Sequence, residues 1–239
     1  MKKTFSKRKS AFSLIELSIV LIIIGLLIAG VTGGASLIKS SELRSVMGEA
    51  RGYSVAVNAF FTQYDALPGD FSTAVGSEAT YFGDGNSQIE YARVFNTVPG
   101  SEGSVAWHML SSIGAIDRTY TADSASVAQV PGTNLPASKI KTGGWAFDFI
   151  DGQNVVVLTG TTTPAADDGD SLATLASGVI TPSDALAIDA KIDDGVANAG
   201  KVRGVLSDCL NTGDNTLYNT ASETGNRVCA LSYQVDVNI

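Results

Sequence analysis

A chain of 239 residues with 44% apolar and 17% charged side chains is long enough for one ordinary core plus an appendage, and its 25 Gly and 6 Pro are too few for a fibre or low-complexity tract. Sixteen Lys and Arg stand against 24 Asp and Glu, and five of the basic residues fall in the first nine positions, so the rest of the chain carries −13. That excess argues against nucleic acid as a partner, because a phosphate backbone is bound through surplus cations.

The first eleven residues are basic and polar. They run directly into an apolar stretch, residues 12–38, in which Glu16 is the only ionisable side chain. Residues 17–38 are uncharged throughout, and about 20 residues in helical form cross a hydrocarbon core. The basic block predicts an N-terminus held in the cytoplasm with everything after Lys39 outside. A secretory signal has a shorter apolar core that ends at a small-residue cleavage site, so a membrane helix is the better reading. Glu16 costs on the order of 2–3 kcal/mol in such a helix and marks a functional contact, unless it is simply solvated at the headgroups.

The run Lys9-Ser10-Ala11-Phe12-Ser13-Leu14-Ile15-Glu16-Leu17 resembles the cleavage and methylation site of bacterial type IV prepilins and type II secretion pseudopilins. In those proteins a short basic leader precedes a Phe-Thr-Leu-Ile-Glu-Leu segment. The resemblance implies that a membrane peptidase cuts between Ala11 and Phe12 and that the new amine of Phe12 is methylated; Ala11 departs from the glycine usual before the cut. It also implies a structural subunit, a pilin or pseudopilin, that starts in the inner membrane and polymerises into a periplasmic or cell-surface filament. Its partners would be copies of itself, other pilins or pseudopilins, the prepilin peptidase and an inner-membrane assembly platform. The alternative is a single-pass anchored binding module that stays in the inner membrane.

Phe12 and Glu16 lie one helical turn apart, so a freed amine and the carboxylate can pair within a chain or between chains, which makes Glu16 the candidate assembly residue. Gly25, Ala29 and Gly33, and likewise Gly30 and Gly34, recur at four-residue spacing and offer seams where helices approach closely. The same glycines cost roughly 1 kcal/mol each in helix propensity, so local unwinding is a second reading and plain tolerance in lipid a third.

Leu43, Val46, Met47, Ala50, Tyr53, Val57, Phe60, Phe61 and Tyr64 continue at three- and four-residue steps, an amphipathic stripe that must dock on a domain. The organisation expected is a leader over 1–11, a helix over 12–64 and a globular head over 65–239. In the head, Pro68-Gly69 suits a type II turn and a loop-rich connection follows. A short helix is predicted over 103–114, then a hairpin that turns at Asp151-Gly152. Thr181 caps a second helix that stops at Gly195. Alternation over 229–238 predicts a final strand with Cys229, Leu231, Tyr233, Val235 and Val237 on the core face and the other residues wet. The fold class is therefore α+β, with a long helix on a mainly antiparallel sheet, which the resemblance makes pilin-like.

Cys209 and Cys229 are too far apart for a CxxC pair and are read as one disulfide outside the cytoplasm, the alternative being two buried thiols. His108, the one histidine, sits beside Trp107 in an apolar helix and reads as a packed residue. No P-loop or GxGxxG is present and no acid/base pair stands out, so an enzyme is not expected. No cofactor is certain from the sequence. Asp84, Asn86, Gln88 and Glu90 alternate in an acidic Gly-rich loop, and Asp167, Asp168, Asp170, Asp193 and Asp194 lie beside glycines. These supply the oxygen ligands calcium uses, with Asp84, Asn86 and Glu90 the candidates, although solvated turns have the same composition.

Overall fold

The computed structural model describes residues 13–72, 83–92, 101–123, 127–166, 170–222 and 225–237. Helix α1 runs unbroken over Leu14–Tyr64. The chain divides into two compact units, Met1–Ser41 and Glu42–Ile239, so the second unit takes in the last turns of α1 as well as the expected head. The reason is the stripe: Leu43, Val46, Ala50, Val57 and Phe60 are buried, and Met47, Tyr53, Phe61 and Tyr64 pack against the same core. Asp65 ends the helix in a left-handed conformation (φ 53°), and Gly69 (φ 87°) supplies the turn expected at Pro68-Gly69.

Four strands, β1 (Gly144–Ile150), β2 (Gln153–Thr159), β3 (Val202–Gly204) and β4 (Leu231–Gln234), form one sheet in the order β1-β2-β4-β3. Every pairing is antiparallel. The β1–β2 hairpin closes through Asp151-Gly152, both at positive φ as a type I′ turn requires. Three further helices, α2 (Glu102–Ser112), α3 (Leu172–Leu175) and α4 (Pro182–Ile192), complete the regular elements among the described residues. Thr181 caps α4 by accepting from the Asp184 N–H, as its sequence predicts.

One face of the sheet packs on α1 and α2 through aromatic rings. Tyr53 meets Trp107 and Trp145 edge-on at 4.9 and 5.7 Å, Trp107 lies 4.2 Å from Phe147, and Trp145 lies 5.4 Å from Tyr233. Such pairs add about 0.5–1.5 kcal/mol each beyond their area burial, and here they tie two helices to two strands.

The last strand departs from its sequence pattern. Its regular part is only Leu231–Gln234, and the face expected to be wet is covered: Ala230 and Ser232 are buried along with the core-facing residues. Two causes act together. β4 is interior, flanked by β2 and β3, and the second face of the sheet carries its own layer. Asp148, on that face, accepts from the Ser171 hydroxyl and the N–H groups of Leu172 and Tyr91, which draws α3 and the segment around Tyr91 over the sheet. All of residues 102–110 in helix α2 are buried.

Cys209 and Cys229 form a disulfide, and both are fully buried. A Cβ built at Gly204 would come within 3.0 Å of Leu210 and 3.3 Å of the Cys209 sulfur, so this edge strand approaches the bridge closely because residue 204 has no side chain. Loop closure over residues 210–228 makes such a bridge worth about 3 kcal/mol. Cys209→Ala/Cys229→Ala should therefore lower the urea-unfolding free energy by about that amount and abolish any effect of reductant on the unfolding curve.

Candidate functional site

Two regions carry the residues singled out from the sequence. In the first unit, the start of α1 is built by Ser13-Leu14-Ile15-Glu16. The Glu16 carboxylate turns back to accept the Ser13 N–H at 2.8 Å, and the Leu17 N–H bonds the Ser13 carbonyl. This is the glutamate half of a capping box, a Ser-x-x-Glu signal that was legible in the sequence but hidden behind the question of charge in an apolar helix. Ala11 and Phe12 lie outside the described residues.

Beyond Glu16 the helix presents apolar side chains on every side. Leu14, Leu26, Val31 and Leu37 are each at least 70% exposed, and among the described residues of this unit no apolar side chain is buried. The polar groups are satisfied within the helix: the hydroxyls of Ser18, Thr32 and Ser36 donate to carbonyls one turn back, at Ile15, Ile28 and Gly33. A helix that hides its own hydrogen-bonding groups and exposes only hydrocarbon suits an apolar surrounding. Its length and composition suffice to cross a membrane. Among the described residues nothing lies within 4 Å of a Cβ built at Gly25, Gly30, Gly33 or Gly34, and Ala29 is exposed. Helical geometry continues through all of them.

Residues 6–32 match a family described as the prokaryotic N-terminal methylation motif. The chain carries a prepilin-type methylation motif. The matched residues include Lys7, Arg8 and Lys9, the candidate cleavage point, Glu16 and most of the apolar run, and the match agrees with the resemblance to type IV pilins and pseudopilins read from the same residues. The long helix packed through residues 42–64 on an antiparallel sheet is the pilin-like architecture expected behind such a motif. No curated protein and no solved structure matches the chain.

The second region is acidic. Among the described residues, Asp70, Asp84 and Glu102 bring carboxylate oxygens within 4.8 Å of one another, and so do Asp189, Asp193 and Asp194. Of the carboxylates Asp84 and Glu90 only Asp84 joins a cluster, and Asp193 and Asp194, singled out from the same kind of loop, join the other. Asn86 donates its side-chain amide to Glu90, and Asp84 and Asn86 each accept the N–H two residues on, so the alternating run is a chain of local turns. Asp70 and Glu102 are far from Asp84 in sequence, which no spacing rule detects. Asp170 accepts the Ala166 N–H, while Asp167 and Asp168 lie outside the described residues. His108 donates Nδ1 to the Tyr120 carbonyl at 2.9 Å, in keeping with its reading as a packed residue.

Both clusters already hold backbone groups. Asp70 Oδ1 accepts from Gly85 and Asn86 and its Oδ2 from Ser87, at 2.7–2.9 Å. Glu102 accepts from Asp84 and Glu90, and Asp189 from Gly195 and the Tyr218 hydroxyl. Burial pushes Asp70 up to about 6, Glu102 up to about 8 and Asp189 up to about 6, against the hydrogen bonds that favour the charged form. The folded protein thus holds protons that the unfolded chain has already released. The contribution of these three groups to stability is fully present below the ordinary carboxylate range and is lost as pH rises through about 6 for Asp70 and Asp189 and through about 8 for Glu102, because the folded state binds more protons than the unfolded chain over that range. The urea midpoint should be higher at pH 5.5 than at pH 9, and Glu102→Gln should flatten the decline above pH 7.

Proposed function

We propose that the protein is a structural subunit, cut between Ala11 and Phe12, methylated on the Phe12 amine and polymerised through residues 14–41 into a type IV pilus or type II secretion pseudopilus. The observation that carries this reading is the helix itself, whose apolar side chains and Gly25/Ala29/Gly33 and Gly30/Gly34 seams are uncovered among the described residues while its hydroxyls are internally bonded. A membrane accounts for the exposed hydrocarbon before assembly, and neighbouring copies account for it afterwards. The methylation motif supplies the processing step. Inner membrane first and filament second is the route this requires, with the peptidase, an assembly platform and other subunits as partners. The role is assembly rather than catalysis.

Glu16 then does two things. Its carboxylate caps the first turn of its own helix, and its charge offsets the Phe12 amine as both enter an apolar filament core. Gln at this position of a capping box keeps the cap and removes the charge. Glu16→Gln expressed as the sole copy should insert and be cleaved normally yet fail to enter sheared filaments, whereas Glu16→Ala should also fray the helix start. Wild-type filament yield from Glu16→Gln would favour the anchored, non-polymerising module instead. Intact-mass measurement of membrane-extracted protein should give a chain that begins at Phe12 and is heavier by one methyl group; retention of residues 1–11 in cells with active peptidase would refute the processing step.

A further inference from the structure

Residues 52–92 carry Asp65, Asp70, Glu78, Asp84 and Glu90 and contain no Lys, Arg or His. At the end of α1 the described part of this run surrounds a cavity of about 520 Å3, walled by Phe61, Ala66, Leu67 and Phe71 together with Asp65 and Asp70. No basic residue lines it, so the wall combines two aromatic rings and hydrocarbon with negative charge alone. Phe61 and Phe71 are only half-buried, whereas Phe60 is fully buried. The Phe71 ring is held in place by Phe60 at 6.1 Å and Tyr64 at 5.6 Å.

The two acids of the wall differ. Asp70 is buried and its oxygens are taken up by the N–H groups of Gly85, Asn86 and Ser87. Asp65 is exposed, and its carboxylate has neither a hydrogen bond nor an ion pair among the described residues. Its left-handed backbone (φ 53°) fixes it directly beyond the last turn of α1, in a conformation that Asp and Asn tolerate better than other side chains.

We propose that this cavity binds a small organic cation, an alkylammonium whose hydrocarbon groups pack on Phe61, Leu67 and Phe71 and whose charge is met by Asp65 and the aromatic rings. A cation within about 6 Å of an aromatic ring centre is attracted by the negative ring face, and quaternary ammonium groups are held by aromatic walls in this way. The volume is that of a small-molecule pocket, for which about 300–1,000 Å3 is usual. A calcium ion is a poor match, because it takes about six to eight oxygens and the wall offers one carboxylate not already bonded. An anion would face only acids, and a neutral apolar molecule would leave Asp65 unpaired. The cavity lies wholly within residues 42–239, so the inference stands apart from the filament reading.

Methyl NMR of the full-length chain in dodecyl maltoside micelles, a detergent without a cation of its own, tests this. The only methionines are Met1, Met47 and Met109. Met109 reports on the wall, because its sulfur accepts the Gly69 N–H at 3.3 Å next to Asp70, whereas Met47 lies roughly 21 Å before Phe61 along α1. With carbon-13 in the methionine methyl groups, tetramethylammonium should shift the Met109 signal saturably and leave Met47 in place. Sodium at the same ionic strength, and tert-butanol as a neutral molecule of similar size, should produce no saturable shift. Asp65→Asn keeps the left-handed backbone and should weaken the affinity about two- to fivefold, as loss of one exposed charge contact does. Phe71→Leu should weaken it roughly fivefold through loss of the ring face. Asp117→Asn, which removes an exposed acid outside the cavity, should leave it unchanged. Asp65 is exposed, so its variant keeps the test decisive if Phe71→Leu does not fold. Wild-type affinity in Asp65→Asn, a saturable shift with tert-butanol, the same shift with sodium, or no saturable shift of Met109 would each overturn the proposal.

Discussion

The head depends on carboxylates that receive backbone N–H groups. Long stretches of it lack helix or strand, and a buried loop leaves donors that helices and sheets would otherwise satisfy. Asp70 takes three such donors from residues 85–87, Glu102 takes those of Asp84 and Glu90, Asp148 those of Tyr91, Phe149 and Leu172, and Glu49 that of Lys139. Each joins segments distant in sequence. Burying a carboxylate costs several kcal/mol by desolvation, and charge-assisted hydrogen bonds of about 1.5–3 kcal/mol each offset it only when several converge. Convergence is what the structure shows, and it explains why these acidic side chains lie inside rather than on the surface.

The raised proton affinities of Asp70, Glu102 and Asp189 are the residue of that balance. Hydrogen bonds offset part of the desolvation cost, and desolvation remains the larger influence. The same groups form the two carboxylate clusters, so proximity of acids here has a structural explanation complete in itself: they meet because the loops they hold meet. Asp84 belongs to the first cluster while making its own turn to Asn86, which shows how little of the local oxygen-rich composition was free to serve a ligand.

Helix α1 satisfies two different surroundings with one backbone. From Leu17 to Ile38 its surface is uncharged and apolar on every side; from Lys39, Glu42 and Arg44 onward, charge returns and the apolar residues narrow to one stripe. The change in pattern coincides with the boundary between the compact units at Ser41 and Glu42. Function divides in the same way. The first part carries most of the methylation motif, and the second is tied to strand β1 through Tyr53 and the Glu49 carboxylate, which links α1 to Ser138 and Trp145.

What the sequence determined by itself were features set by neighbours along the chain. The apolar run, the stripe from Leu43 to Tyr64, the Asp151-Gly152 turn and the Thr181 cap depend on residues within a turn or two of each other, and each is found where its spacing puts it. The Cys209–Cys229 bridge was legible because two cysteines allow one pairing. Tertiary structure alone decided that β4 lies inside the sheet, that Ala230 and Ser232 are covered, that α2 is buried all round and that Asp70, Asp84 and Glu102 converge. Alternation along a strand reports which residues share a face, but whether that face is wet depends on what packs over it, and α3 and the Tyr91 segment are placed there by hydrogen bonds to Asp148 from residues more than twenty positions away.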